Sequence, residues 1–228
     1  MTKEPVLIAL DGPVSAGKSS LADEVARRLD ILHLDTGAMY RAIGLAAIRQ
    51  GIDPRDEQPV CAMLAEGCAQ VDIRFDKGRQ QTLLNGRPVD DDIRSQEAGS
   101  AASAVSRYPA VRKYLVTRQQ ELARNMSMIV DGRDIGTVVL PDARAKIFLS
   151  ASPEVRALRR HKQLTSKGAS ISFEEVLSEL VDRDKQDRER AADPLRQAED
   201  AVPLDTSNLN FNESVEAILA IVKEAYDI

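Results

Sequence analysis

Short apolar runs alternate along this chain with longer stretches in which apolar residues return every three or four positions. The runs 5–10, 31–34, 127–131, 145–150 and 201–204 have strand length. Between them, the spacing predicts helices near 18–29, 38–50, 109–124, 152–166, 172–191 and 212–226. Alternation of this kind implies an α/β fold, a parallel sheet covered by helices, with ligands bound beyond the carboxyl ends of the strands. One region breaks the rhythm. A helical stretch at about 53–69 is followed by a small antiparallel unit at 70–90, where Val71, Ile73 and Phe75 alternate with polar residues and Asn85-Gly86 predicts a hairpin turn. The region reads as an insert that covers a site, not as a second independent domain.

The first strand runs straight into Gly12-Pro13-Val14-Ser15-Ala16-Gly17-Lys18-Ser19, the pattern G-x-x-x-x-G-K-S, and a helical stretch follows. Strand, glycine-bounded loop and helix is the context in which this pattern cradles phosphates. Loop N–H groups and the helix N-terminus face a β-phosphate, Lys18 reaches the β- and γ-phosphates, and the Ser19 hydroxyl is placed to ligate Mg²⁺.

Composition narrows the picture. Hydrophobic residues make up 43% of 228, but aromatics only 4% and Trp is absent, so the core must be aliphatic. The formal net charge of -5 argues against a general nucleic-acid binder while leaving room for a small anionic ligand held by a few focused cations. Cys61 and Cys68 fall on a stretch that reads as helix and lack the partners a metal site needs, so buried free thiols are expected. No run approaches the length of a membrane span, and Glu4 and Pro5 break any signal-peptide pattern; a cytoplasmic protein is expected.

Further charged groups stand at strand ends. Asp35-Thr36-Gly37-Ala38-Met39-Tyr40-Arg41 follows the second strand; it is either a second anion site, with Thr36 capping the next helix, or a plain βα turn. Asp131-Gly132-Arg133-Asp134 follows another strand, where Asp131 suits water-mediated Mg²⁺ binding. Arg183, Asp187 and Arg190 share one helix face, which can grip phosphate or ribose or simply form ion pairs in solvent. Arg156, Arg159, Arg160, His161 and Lys162, followed by Lys167-Gly168, form either a basic flap over phosphates or a solvated helix with a glycine cap. His33 and His161 are the only histidines, and His33 sits inside an apolar strand. An anionic phosphate oxygen acting as nucleophile needs no general base, so catalysis reduces to positioning and charge neutralisation.

Taken together, these blocks resemble the bacterial cytidylate kinases, a family of nucleoside monophosphate kinases, over nearly the whole chain. The specific pieces are Gly12-Pro13 through Ser20, the 35–41 block, Ala102-Ser103 with Val105-Ser106, and Pro109 with Val111-Arg112. To these are added Gly132 through Val139, and Arg183, Asp187 and Arg190 followed by Pro194-Leu195. The resemblance implies a three-layer P-loop kinase with a central parallel five-stranded sheet, a single domain over 1–228. Its monophosphate-binding part with insert is expected at about 36–105 and a short lid at about 156–170. It implies ATP-dependent phosphorylation of CMP and dCMP by in-line transfer, in pyrimidine metabolism, by a monomer that binds neither nucleic acid nor membrane.

The resemblance also implies site residues. ATP would lie on Gly12, Pro13, Val14, Ser15, Ala16, Gly17, Lys18, Ser19 and Ser20, with Mg²⁺ at Ser19 and, through water, Asp131. Ser103, Arg112 and Asp134 would contact cytosine, and Arg183 and Asp187 the sugar. Tyr40, Arg41, Arg133 and Arg190 would surround the monophosphate, with Asp35 and Thr36 beside it. Lys18, Arg133 and Arg190 would act in catalysis together with Arg159 and Arg160 of the lid. The chain departs from the usual pattern in Lys18-Ser19-Ser20, which keeps the hydroxyl, and in Asp193, which adds a charge near Arg190. A P-loop kinase for another small acceptor is argued against by the 35–41, 103–112 and 133–134 blocks. A GTPase switch would need D-x-x-G and N-K-x-D, and neither occurs. A non-catalytic nucleotide binder would have no need of Lys18 and the arginine set.

Overall fold

The structure, a computed structural model, describes residues 4–166 and 168–227; Lys167 of the basic cluster lies outside the described residues. The chain forms two compact units, one of Met1–Pro5 and Asp30–Met128, the other of Val6–Leu29 and Ile129–Ile228.

The predicted parallel strands are all present, β7 (Ala145–Ser150) at its expected bounds and the others displaced by a residue or two: β1 (Leu7–Asp11), β2 (Leu32–Asp35), β6 (Met128–Gly132) and β8 (Val202–Asp205). They form one five-stranded sheet in the order β2-β6-β1-β7-β8. β1 and β7 pair in parallel with Ile8 opposite Ala145 and Asp11 opposite Phe148, and β7 pairs in parallel with β8 from Ile147–Val202 to Ser150–Asp205. Ile8, Ala9 and Leu10 are fully buried, which is what a strand covered on both faces requires of a continuous apolar run.

In the second unit, α1 (Lys18–Leu29) buries Leu21, Ala22, Val25 and Ala26, and α8 (Phe211–Tyr226) buries Val215, Ile218, Leu219 and Val222, at the spacing of one helix face. The Leu, Val and Ile side chains among these each contribute about 1.5–3 kcal/mol when fully buried. α8 opens on a capping box, the Asn210 side chain accepting from the Glu213 N–H while Glu213 Oε2 accepts from the Asn210 N–H. α6 (Pro153–Thr165) and α7 (Phe173–Glu189) pack on each other through Ala157, Val176 and Leu180. Ser172 and Glu175 form the corresponding box at the start of α7.

The first unit holds the insert. β3 (Val71–Asp76), β4 (Arg79–Leu84) and β5 (Arg87–Pro88) make a separate antiparallel sheet. Asn85-Gly86 turns β4 into β5 as expected, with φ of 50° and 77°; a second hairpin at Lys77-Gly78, φ 49° and 78°, joins β3 to β4. The helix expected at 53–69 is shorter, α3 (Glu57–Ala65). Asp53, preceding Pro54, is disfavoured in helical geometry, and Gly67 at φ 74° lies in left-handed backbone just past the helix end. Cys61 is only half-buried on α3 and Cys68 is exposed beyond it: both are free, but neither is the buried thiol expected.

Three elements among the described residues were not foreseen, one of them the short 3₁₀ turn Asp92–Arg94. α4 (Gln96–Val105) is mostly Ala, Gly and Ser, with Val105 its single larger apolar residue, so it shows little of the pattern that marks a helical period. Its small residues let it pack closely on α2 (Thr36–Arg49), where a Cβ on Gly44 would lie 2.7 Å from the Ala101 Cβ. The third is a π-helical turn, Ile135–Val139, directly after β6. α5 (Pro109–Ala123) begins with Pro at its first turn, where the missing N–H costs nothing.

Candidate active site

In the second unit β1 ends at Asp11 and the glycine-bounded loop delivers the chain to α1. Gly12 takes φ 153°, and a Cβ there would lie 2.1 Å from the carbonyl oxygen of Leu149, so only glycine lets the loop pass this close to β7. The first turn of α1 carries no acidic residue, which leaves the positive end of the helix open to an anion.

Lys18 points back into this loop. Its Nζ donates to the carbonyls of Gly12 and Pro13, both at 2.8 Å, and the residue is only 6% exposed. Burial, reinforced by the nearby Arg133 charge, pulls its pKa down to about 7; the carboxylates of Asp131, Asp187 and Asp11 work the other way. Next to it, Ser19 Oγ donates to Asp131 Oδ2 at 2.8 Å. A hydroxyl and a carboxylate side by side are hard oxygen donors. Among the described residues, no cluster of three or more His, Cys, Asp or Glu forms a cage. That donor set fits Mg²⁺, which keeps waters and phosphate oxygens in its shell.

Asp11, not singled out from the sequence, anchors the far side. Its two carboxylate oxygens accept from the N–H groups of Ile135 and Gly136, each at 2.7 Å, and so fix the π-helical turn. Burial pushes its pKa up to about 6 against the pull of those two bonds. The only available signal was its place, the last residue of a strand before the loop.

The helix face of Arg183, Asp187 and Arg190 is not a solvated one. Asp187 and Arg190 are buried and Arg183 half-buried. Arg133 Nε donates to Asp187 Oδ2 at 2.8 Å. Burial works to raise the Asp187 pKa, yet Arg133, Arg183 and Arg190 together hold it below the usual carboxylate range. Arg190 caps α7; it donates to Asp134 Oδ1 at 3.3 Å and, through Nε, to the carbonyl of Asp193 at 2.8 Å. Asp193 stands in left-handed backbone at φ 46°, and its carbonyl accepts from Arg190. Within the second unit, Ser19 is thus bonded to Asp131, Arg133 to Asp187 and Arg190 to Asp134, with Lys18 in the field of Asp131, Arg133 and Asp187, and Arg183 in that of Asp187.

The basic cluster divides. Arg156 is 2% exposed and points inward. Arg159 donates to the Thr206 carbonyl at 2.7 Å, and Arg160 donates to Gln163 on its own helix. His161 places a ring nitrogen 3.0 Å from the Ile171 carbonyl, edge-on to Phe173.

In the first unit, Asp35 and not Thr36 caps α2: its Oδ1 accepts from the Ala38 N–H at 3.1 Å, and Thr36 is already helical. Arg41 on α2 donates to the Ile93 carbonyl and lies over Gly99, where a Cβ would come within 3.0 Å of its guanidinium. Arg112 on α5 is fully buried with its guanidinium 5.8 Å from the centre of the Tyr40 ring. Ser103 faces partly outward from α4, and its carbonyl accepts from Ser106 Oγ. Tyr40, Arg41, Ser103 and Arg112 are thus all carried by α2, α4 and α5.

Comparison with known proteins agrees with this geometry. A model of the family described as cytidylate kinase matches residues 8–224. A cytidylate kinase of Thermosipho melanesiensis is 47% identical over 220 residues, covering 96% of this chain and 98% of that protein. One of Bacillus cytotoxicus is 45% identical over 222 residues, covering 96% and 97%. Among solved structures, a gluconokinase of Sinorhizobium meliloti superposes with a TM-score of 0.50 at 16% identity, covering 98% of this chain and 94% of its own, which shows a shared fold. With the family pattern matched from β1 into α8, this chain belongs to the cytidylate kinase family.

Proposed function

We propose that this chain transfers the γ-phosphoryl group of ATP to CMP and dCMP, giving ADP and the corresponding diphosphate. The observation that carries the reading is the buried Lys18 ammonium at the head of α1, beside the Ser19–Asp131 pair. In the reaction an oxygen of the acceptor's phosphate forms the new bond to the γ-phosphorus. The bond from that phosphorus to the bridging oxygen breaks, and its electron pair leaves with ADP. The attacking oxygen is already an anion, so no residue has to remove a proton.

The side chains then have positional and electrostatic roles. The loop from Gly12 to Ser20 holds the β-phosphate, and Lys18 exchanges its two carbonyl partners for phosphate oxygens. Ser19 and, through water, Asp131 would hold Mg²⁺, which when bound neutralises charge on the β- and γ-oxygens. Arg133 and Arg190 stabilise the charge that spreads over the equatorial oxygens, and with Asp35, Thr36, Tyr40 and Arg41 they surround the monophosphate. Arg183 and Asp187 hold the sugar; Ser103, Arg112 and Asp134 read the cytosine edge. Arg159 and Arg160 act from the lid, about 156–170, once they leave Thr206 and Gln163. We read the chain as a single cytoplasmic kinase domain, acting as a monomer in pyrimidine nucleotide metabolism.

The test is an ADP-release assay with ATP, Mg²⁺ and each of CMP, dCMP, UMP, AMP, GMP and dTMP. Preference for CMP and dCMP is expected. Preference for another monophosphate, or none with any, would keep the phosphate loop but overturn the acceptor.

A further inference from the structure

The tip of the phosphate loop is held from outside by two buried charges that no step above uses. Arg156, on the first turn of α6, and Asp184, on α7, form an ion pair at 2.6 Å with side chains 2% and 8% exposed. Both also bind the backbone of Val14. Asp184 Oδ1 accepts from the Val14 N–H at 3.3 Å, and Arg156 Nη1 donates to the Val14 carbonyl at 2.9 Å. The result is a closed ring: Val14 N–H to Asp184, Asp184 to Arg156, Arg156 back to Val14 C=O. Arg156 Nε adds a bond to the Ala151 carbonyl at 2.9 Å, which fixes the guanidinium plane. The side chain of Val14 packs against Ala157, Val176 and Leu180, the apolar seam between α6 and α7. One loop residue is therefore gripped by its donor, its acceptor and its side chain, all by the same helix pair.

A loop that binds phosphate through its N–H groups works only if those groups are aimed before the anion arrives. Val14 lies between the two glycines of the motif, outside any helix or strand that would hold its N–H and C=O, and Ser15 follows at φ 57°. Resting on the reading that this loop binds ATP, we propose that Arg156 and Asp184 are positioning residues for the triphosphate: by clamping Val14 they set the loop's anion-binding geometry and tie it to the α6–α7 pair. Neither touches the substrate. A merely structural ion pair would stabilise the helix pair and leave nucleotide affinity alone.

The experiment replaces both charges with apolar side chains, Arg156→Met with Asp184→Leu, because a buried pair exchanged as a whole often keeps stability where a single loss does not. Asp184→Asn, which keeps an acceptor for the Val14 N–H, is the milder companion. Dissociation constants for Mg·ATP and for CMP are measured separately by calorimetric titration, and thermal unfolding is recorded alongside. Expected for the double variant is an ATP affinity weakened about tenfold, CMP affinity within about twofold of the parent, and a smaller ATP loss in Asp184→Asn, the scale of one or two charge-assisted hydrogen bonds. Parental ATP affinity in the folded double variant overturns the proposal, as does equal weakening of both ligands. Should the double variant not fold, Asp184→Asn decides alone by the same criteria. A parent chain that binds no ATP would instead remove the kinase reading itself.

Discussion

Ser19 Oγ donates to Asp131 Oδ2 across 2.8 Å, although the two residues are 112 positions apart in the chain. One stands at the start of α1 and the other inside β6, so the pair exists only because the sheet has assembled. Each supplies the kind of oxygen that Mg²⁺ prefers. Removing either donor should therefore raise the metal requirement before it abolishes turnover. Ser19→Ala and Asp131→Asn are each expected to need about tenfold more Mg²⁺ for half-maximal rate, as loss of metal-supporting groups does elsewhere. Activity titrated against Mg²⁺ at saturating nucleotide is the check; an unshifted titration in both would remove the metal role.

The state of Lys18 gives a proton-linked prediction. In the free chain its pKa lies near 7, because burial and Arg133 oppose its charge. Triphosphate oxygens replacing the Gly12 and Pro13 carbonyls should raise it. At pH 8, where the free lysine is largely neutral and the bound one charged, ATP binding should take up close to one proton. Affinity should fall as pH rises above 7. Calorimetry at pH 8 in buffers of different ionisation enthalpy measures that uptake. Lys18→Met should abolish the uptake and reduce turnover by about a hundredfold or more, with the fold intact.

Gly12 predicts a purely steric failure. With φ at 153° and a would-be Cβ 2.1 Å from the Leu149 carbonyl, Gly12→Ala forces backbone against backbone. Loss of ATP binding with a drop in thermal midpoint is expected, while Gly78→Ala, where a Cβ meets nothing within 4 Å, should bind ATP as the parent does. Equal behaviour of the two variants would show that the close approach at Gly12 is unnecessary.

Asp11 sets a pH dependence of stability with an unusual sign. Its folded pKa, about 6, lies above the ordinary carboxylate value of 3.8. The folded state thus holds the proton more tightly than the unfolded one. This group's contribution is complete below the ordinary value and is lost as pH rises through 6. The loss amounts to no more than about 3 kcal/mol, two pKa units at 1.36 kcal/mol each. Asp187 and Glu24, both depressed, slope the other way, so the variant comparison matters more than the parent curve. Urea unfolding at pH 4.5 and 7.5 should show that Asp11→Asn removes a decline between those values; an identical pH profile in parent and variant would refute the assignment.

Arg112 is buried beside Tyr40 and belongs to the first unit, whereas the phosphate loop belongs to the second. Arg112→Ala should raise KM for CMP by about tenfold or more, the size of one lost charge-assisted recognition contact, and leave KM for ATP within about twofold. Steady-state kinetics with each substrate varied separately would expose an equal loss on both sides, which would mark Arg112 as structural.

How much of this was legible follows from what each signal depends on. The parallel strands and the longer helices announced themselves through the period of their aliphatic residues, and the phosphate loop through glycines whose backbone geometry has few substitutes. α4 was silent because its buried face is mostly Ala and Gly, too small to stand out from the Ser beside them. The face of Asp187 and Arg190 gave two readings from spacing; burial removes the solvated face, and burial is a property of the assembled chain. Arg156 looked like one more cation in a basic run, and Asp184 like one more acid on a charged helix. Their pairing joins residues from two helices to a third segment, and no local pattern encodes it. Thr36 lost the cap to Asp35 because both are good caps in adjacent positions, and only the backbone chooses.

The close packing of α2 against α4 at Gly44 and Ala101 has a consequence for how acceptors are told apart. Arg41 rides on the first of these helices and Ser103 on the second. Helices meeting with no spare methyl between them cannot slide, so the two residues travel as points on one plate. On the roles proposed for Arg41 and Ser103, grip on the acceptor's anion and inspection of its base would then be coupled, and a side chain inserted at position 44 would uncouple them.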